Sequence, residues 1–419
     1  MKSTKIRPFV EKISNLFGPL VFSLSGFVVS VLVQRSFSAA DFGVFAFIQV
    51  LLATGMALSN GLISIPSASR VANGVEIGEI TRVFFPVGVV LCGLGALLSG
   101  PIILSVGAHA PVVVWSVLLA FATWVRYLCR SLALVGLSRV GARNSDLSYG
   151  ITHILLCTIL FCFTKTGLEG YLSAQTLASV VALVPVRSIF KSSSNFGIQV
   201  LRSYQVDFHK VGIWAFLTAF CGQVSASAHA YITSLFLSPA AFAPLAIATL
   251  VYRPLGVILT GVMQYETPKI ASAFKESSQG NVSARVKKLL NELFLLMLAS
   301  WAMNTIIAGF FVAFSSNIIS DKSYDMNQVN ISIAITGLIV LIRALREPHT
   351  AVLAVTGSNK NLAQINIACA IVTLLSVACF AYYFAKAPAL TLLGPAVGEG
   401  VNYMAVKALS REWSGKRVG

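Results

Sequence analysis

Apolar residues in this chain gather into long runs separated by short polar gaps. The runs lie at approximately 14–34, 44–66, 83–105, 111–133, 149–164, 171–190, 211–235, 239–263, 290–314, 329–351, 362–385 and 387–406. A helix that crosses a bilayer needs about 20 mostly apolar residues. Each run is therefore predicted to span a membrane, the fifth being short and ending at Lys165. The first run follows a basic segment but lacks a small-residue cleavage site, so it reads as a permanent helix rather than a signal peptide.

Charge fixes the direction of the weave. One set of alternating gaps, with both ends of the chain, holds 22 of the 31 Lys and Arg. Among them are Lys2, Lys5, Arg7 and Lys12 at the start, Arg70 and Arg82, Lys191, Arg202 and Lys210, and Lys407 to Arg417 at the end. The opposite gaps hold only Arg35, Lys165, Lys322 and Lys386. Cytoplasmic loops retain Lys and Arg while exported loops lose them. Both termini are thus expected in the cytoplasm. Composition agrees: 56% hydrophobic residues, 11% charged and a mean hydropathy of +0.80 leave too little polar surface for a soluble protein. The net charge of +16 is spread over the gaps, which points to topology and anionic membrane lipids rather than nucleic acid.

The predicted fold class is an all-α polytopic membrane protein. It has about twelve transmembrane helices in two six-helix halves related by a pseudo-two-fold axis along the membrane normal. Residues 1–190 form the first half, 191–210 a cytoplasmic interfacial connector, and 211–419 the second half with a short tail. The connector mixes Phe196, Ile198, Tyr204 and Phe208 with basic residues, as an interfacial segment does. A weak repeat supports the division. In 37–47 and 237–247, Ser38, Ala40, Phe42 and Ala46 meet Ser238, Ala240, Phe242 and Ala246. Both stretches join the first and second helices of their half. Both halves begin on the same side, which makes the repeats parallel.

Five arginines fall inside the runs: Arg126, Arg130, Arg253, Arg343 and Arg346. A charge at mid-bilayer costs about 2.5–3.5 kcal/mol, so it faces a bundle interior or a watery cavity. Guanidinium forks grip phosphate or carboxylate, so these five are candidate ligands for an anionic substrate. Internal pairing is the competing reading, with Glu347 and Glu399 as partners for Arg346. Glu347 and Glu399, with Gln223, His229 and His349, are also candidates for cavity lining or ion coupling. Acids, by contrast, are absent from the first six runs. No phosphate-binding loop, zinc-protease motif or nucleophile elbow occurs, so no enzyme activity, cofactor or metal is expected.

The stretch LVQRSFSAADFGVFAFIQVLLATG at 32–55 resembles the first external turn of Wzx-type polysaccharide flippases, through Ser38, Phe42 and Gly43. Phe37 departs from their usual Leu. The region 354–376, with Gly357, Lys360 and Asn366, is similar to the same family's join between helices 10 and 11. The resemblance implies the polysaccharide transporter branch of the multidrug/oligosaccharidyl-lipid/polysaccharide exporter superfamily. Its expected cargo is an undecaprenyl-diphosphate-linked oligosaccharide, for O-antigen, capsule or exopolysaccharide. Flipping is expected to run from the inner to the outer leaflet of the bacterial cytoplasmic (inner) membrane by alternating access, coupled to a proton or sodium gradient. Expected partners are a polysaccharide polymerase and a chain-length regulator. The alternative is a drug/cation antiporter of the multidrug-extrusion branch, which would need buried acids.

Overall fold

The computed structural model describes residues 6–135, 138–164, 166–189, 197–275, 282–318, 324–355 and 359–416. Lys165, Lys191, Lys322, Gly357 and Arg417 lie outside the described residues, as does part of the connector.

Every described segment of length is helical, and no strand occurs among the described residues. The chain begins with α1 (Ile6–Ser36) and α2 (Ala39–Ser59). A π-helical turn, Asn60–Ser64, carries α2 without a break into α3 (Ile65–Ala72). Then come α4 (Ile77–Ser105), α5 (Ala110–Val135), α6 (Arg139–Phe163) and the short α7 (Leu168–Val181). The next rod joins α8 (Ile198–Asp207), a π turn (Phe208–Gly212), α9 (Ile213–Ile232) and a second π turn (Thr233–Leu237). Last are α10 (Pro239–Lys275), α11 (Val282–Ile318), α12 (Met326–Val355), α13 (Asn359–Tyr383) and α14 (Leu393–Lys416).

These helices compose twelve rods, one for each apolar run. Nine of them, among the described residues, are long and apolar enough to cross a membrane. The others are α7, α10 and α14. Leu94, Leu97, Leu98, Ile306 and Phe310 are more than half exposed, which suits lipid contact and would be costly in water. The protein is a multi-pass membrane protein.

Two compact units divide the chain, Met1–Phe220 and Cys221–Gly419, and the boundary falls inside α9. In the first unit α1 lies along α6, while α5 packs against α4, α7 and α2. Phe42, Phe47, Phe84, Leu119 and Leu128 fill its core. Trp124 on α5 rests where a Cβ on Gly55 of α2 would stand, and its Nε1 donates to the Leu52 carbonyl at 3.0 Å. Glycine is needed there because the indole occupies the space. In the second unit α10 packs against α11 and α12, and α14 against α12 and α13. Leu255, Leu293, Met297, Ala344 and Ala351 form one buried cluster there.

The weak sequence repeat has one local geometry. Ser38 caps α2, its Oγ accepting from the Asp41 amide at 3.2 Å. Ser238 caps α10 in the same way, accepting from the Ala241 amide at 3.1 Å. Four residues beyond each serine a phenylalanine, Phe42 or Phe242, is buried. The hydroxyl satisfies an otherwise orphaned amide while the ring anchors the first turn.

Candidate functional site

Four of the five intramembrane arginines resolve into two clusters, each built on the fourth rod of its half. In the first unit Arg126 and Arg130 stand one turn apart on α5, so they share a face. Both close on Asp146 of α6. Arg126 Nη1 donates to Asp146 Oδ1 at 3.2 Å, and Arg130 Nε donates to Oδ1 at 2.9 Å and Oδ2 at 2.7 Å. The Arg126 and Asp146 side chains are only 1% and 3% exposed. The guanidinium of Arg126 also lies 4.7 Å from the ring centre of Phe22 and 4.4 Å from that of Tyr149, two cation–π contacts. Tyr149 continues the network: Gln175 Nε2 donates to its hydroxyl at 3.0 Å, and Gln175 exchanges hydrogen bonds with Gln49.

Asp146 corrects the sequence reading. The acid was expected in a polar gap, because the fifth apolar run begins near residue 149. Instead α6 starts at Arg139 and carries Asp146 into the packed interior. The first six rods therefore do contain a buried acid.

In the second unit Arg343 and Arg346 of α12 converge on Glu399 of α14. Arg343 Nε donates to Oε1 and Arg346 Nη1 to Oε2, each at 2.6 Å. Arg346 Nη2 also donates to Glu347 at 3.1 Å. The Glu399 side chain is 5% exposed, but Arg343 is 31% exposed and Arg346 17%, so this cluster is wetter than the first. Gly398 brings α14 close to α13, since a Cβ there would collide with Thr373. One turn beyond Glu399, Asn402 Nδ2 donates to Asn366 Oδ1 of α13 at 3.1 Å. Asn402 Oδ1 and Arg346 Nε are both buried without a hydrogen-bond partner among the described residues.

The remaining candidates are more scattered. Arg253 is half-buried on α10, which continues as helix through Pro254, and it has an interaction of its own. His229 on α9 is buried, with its ring 6.2 Å from that of Phe242 and within electrostatic reach of Arg343. Gln223 donates to Ser227 one turn away at 2.8 Å. His349 Nδ1 lies 3.0 Å from Ser410 Oγ, and its ring stands 6.1 Å from Tyr403. The structure thus gathers Arg343, Arg346, Glu347 and Glu399 into one site and Arg126 with Arg130 into another. Sequence reasoning missed Asp146, Gln175 and Gln49. The one signal for Asp146 was its spacing of 16 residues from Arg130 across a short turn.

No known family model matches the sequence, and no curated relative does either. Solved structures do match in fold. A multidrug resistance MATE family transporter of the MOP superfamily, in its inward-facing conformation, superposes with a TM-score of 0.70 at 13% identity, covering 96% of this chain and 97% of its own. The eukaryotic MATE transporter AtDTX14 gives 0.69 at 15% identity, covering 98% and 99%. An outward-facing multidrug resistance MATE family transporter gives 0.61 at 15% identity, covering 97% and 94%. These findings overturn the reading as a lipid-linked oligosaccharide flippase. The residues expected to separate the two branches do not: the arginines come with buried acids. The chain has the fold of MATE transporters over nearly its whole length.

Proposed function

We propose that the protein is a secondary active exporter of the drug/cation antiporter kind, moving amphiphilic organic cations by alternating access against a proton or sodium gradient. The observation that carries this reading is the fold shared with MATE transporters over nearly the full length of both chains. The alternation of Lys and Arg supports an orientation with both termini in the cytoplasm.

The test is transport by the purified chain in liposomes loaded with a fluorescent organic cation such as ethidium. An imposed proton or sodium gradient is expected to drive the dye across the membrane, and collapse of both gradients to stop it. Dye movement unaffected by either gradient, or none at all, would overturn the proposal. A reporter fused after Gly419 is expected to read as cytoplasmic; an external signal refutes the orientation.

A further inference from the structure

The Glu399 cluster carries more donors than its acids use. Arg343 binds Glu399 through Nε alone; its terminal nitrogens make no hydrogen bond among the described residues, and its side chain is a third exposed. The buried Nε of Arg346 also lacks an acceptor. A guanidinium offers five N–H donors, so two of them can hold more than one carboxylate. Such half-satisfied polar groups are uncommon in a packed interior. The arrangement is that of an anion site whose place is held by a side chain of the protein.

We infer that Arg343 and Arg346 form a binding site for an oxyanion group (carboxylate, sulfate or phosphate), in which Glu399 is the resident counter-anion and steps aside when it takes up a proton. The charges require this coupling. With Glu399 ionised, two arginines face Glu399 and Glu347 and the cluster is neutral. An added anion would leave a buried negative charge unpaired, which is costly. A proton from solvent on a Glu399 oxygen removes its charge, frees donors from both arginines, and lets the incoming anion restore neutrality. One proton therefore enters with each anion. The groups that face Glu399 are Arg343 and Arg346 on α12 and the Cys369 thiol on α13, with Glu347 reached through Arg346 and His229 of α9 near Arg343. At the Asp146 cluster the spare Nε of Arg126 is shut in by the rings of Phe22 and Tyr149, with its side chain only 1% exposed.

The inference is independent of the exported cargo, since dye transport and anion binding are separate readouts. The full-length protein, in nanodiscs of neutral phosphatidylcholine, is titrated with methyl sulfate, whose own charge is constant between pH 5 and 8. Affinity is expected to rise about tenfold per unit fall in pH where Glu399 is ionised, with nearly one proton taken up per anion. Glu399→Gln is expected to bind with pH-independent affinity and no proton uptake. Arg343→Gln, which keeps the Arg346–Glu399 pair, is expected to lose at least tenfold. A second arm replaces part of the phosphatidylcholine with phosphatidylglycerol. Co-purification of that lipid by wild type, lost in Arg343→Gln, together with silence toward methyl sulfate, would identify a headgroup as the source of the anion. Absence of binding in both arms overturns the inference, as does wild-type binding without proton uptake.

Discussion

Replacing Asp146 with Asn tests whether the first cluster is a fastening of the unit. The change keeps the side chain's shape and removes its charge, leaving Arg126 at 1% exposure with no carboxylate. Breaking a buried pair by taking one partner costs about 3–5 kcal/mol. Arg130, at 18% exposure, can rehydrate and adds little. For a unit of this size each kcal/mol lowers the unfolding temperature by about 2–4 °C, so the expected fall is about 6–20 °C. The assay is thermal denaturation in detergent, followed by loss of the monodisperse peak in size-exclusion chromatography. The double variant Asp146→Asn with Arg126→Met should recover part of the loss, because the stranded charge is gone and the methionine still packs between Phe22 and Tyr149. A fall below about 2 °C in the single variant, or a double variant worse than the single, would refute the reasoning.

Gly55→Val forces the Trp124 indole from its seat and breaks its bond to the Leu52 carbonyl; a loss of about 2–3 kcal/mol and a change in tryptophan emission are expected, and unaltered emission would contradict the contact. Ser38→Ala and Ser238→Ala should each cost about 1 kcal/mol, seen as similar small falls in thermal stability; a cost at one position alone would break the parallel between the caps. Arg70→Met removes the 2.7 Å bonds to Asp207 and Ser203 that tie α8 to α3. Faster amide exchange over residues 198–207, with α6 unchanged, is the expected result; unchanged exchange would show that the Tyr204 bond to the Leu62 carbonyl is sufficient.

The rods were readable because their length is imposed by the bilayer and their apolar content by lipid. All twelve runs became helical rods, and the paired caps at Ser38 and Ser238 were visible as a short repeat. Glu399 was visible as a lone acid in an apolar run. Asp146 was not, because the polar stretch from Arg139 to Asp146 looks like a loop until arginines on another helix neutralise it. A count of apolar residues along one dimension cannot register compensation across two helices. The bonds from Arg343 and Arg346 to Glu399 cross more than 50 residues and were only one option among several. The π turns at Asn60–Ser64, Phe208–Gly212 and Thr233–Leu237 left no mark in hydropathy, since one extra residue per turn changes neither length nor polarity. The choice between transporter branches failed for a related reason: topology was common to both, and isolated arginines said nothing about their partners.

The boundary between the units lies within α9, which has a consequence for synthesis. The first six apolar runs are threaded into the membrane before α8 and the start of α9 emerge. Yet α8 packs on α4, the turn at Phe208–Gly212 packs on α3, and a Cβ on Gly61 would meet the backbone at Ala215 and Phe216. The first unit is therefore incomplete when its sixth run has been inserted, and it closes only when the chain has passed Phe220. A fragment ending at 190 should remain protease-sensitive, whereas one ending at 220 should not. The opening turns of the seventh rod are, in assembly order, the last piece of the first half.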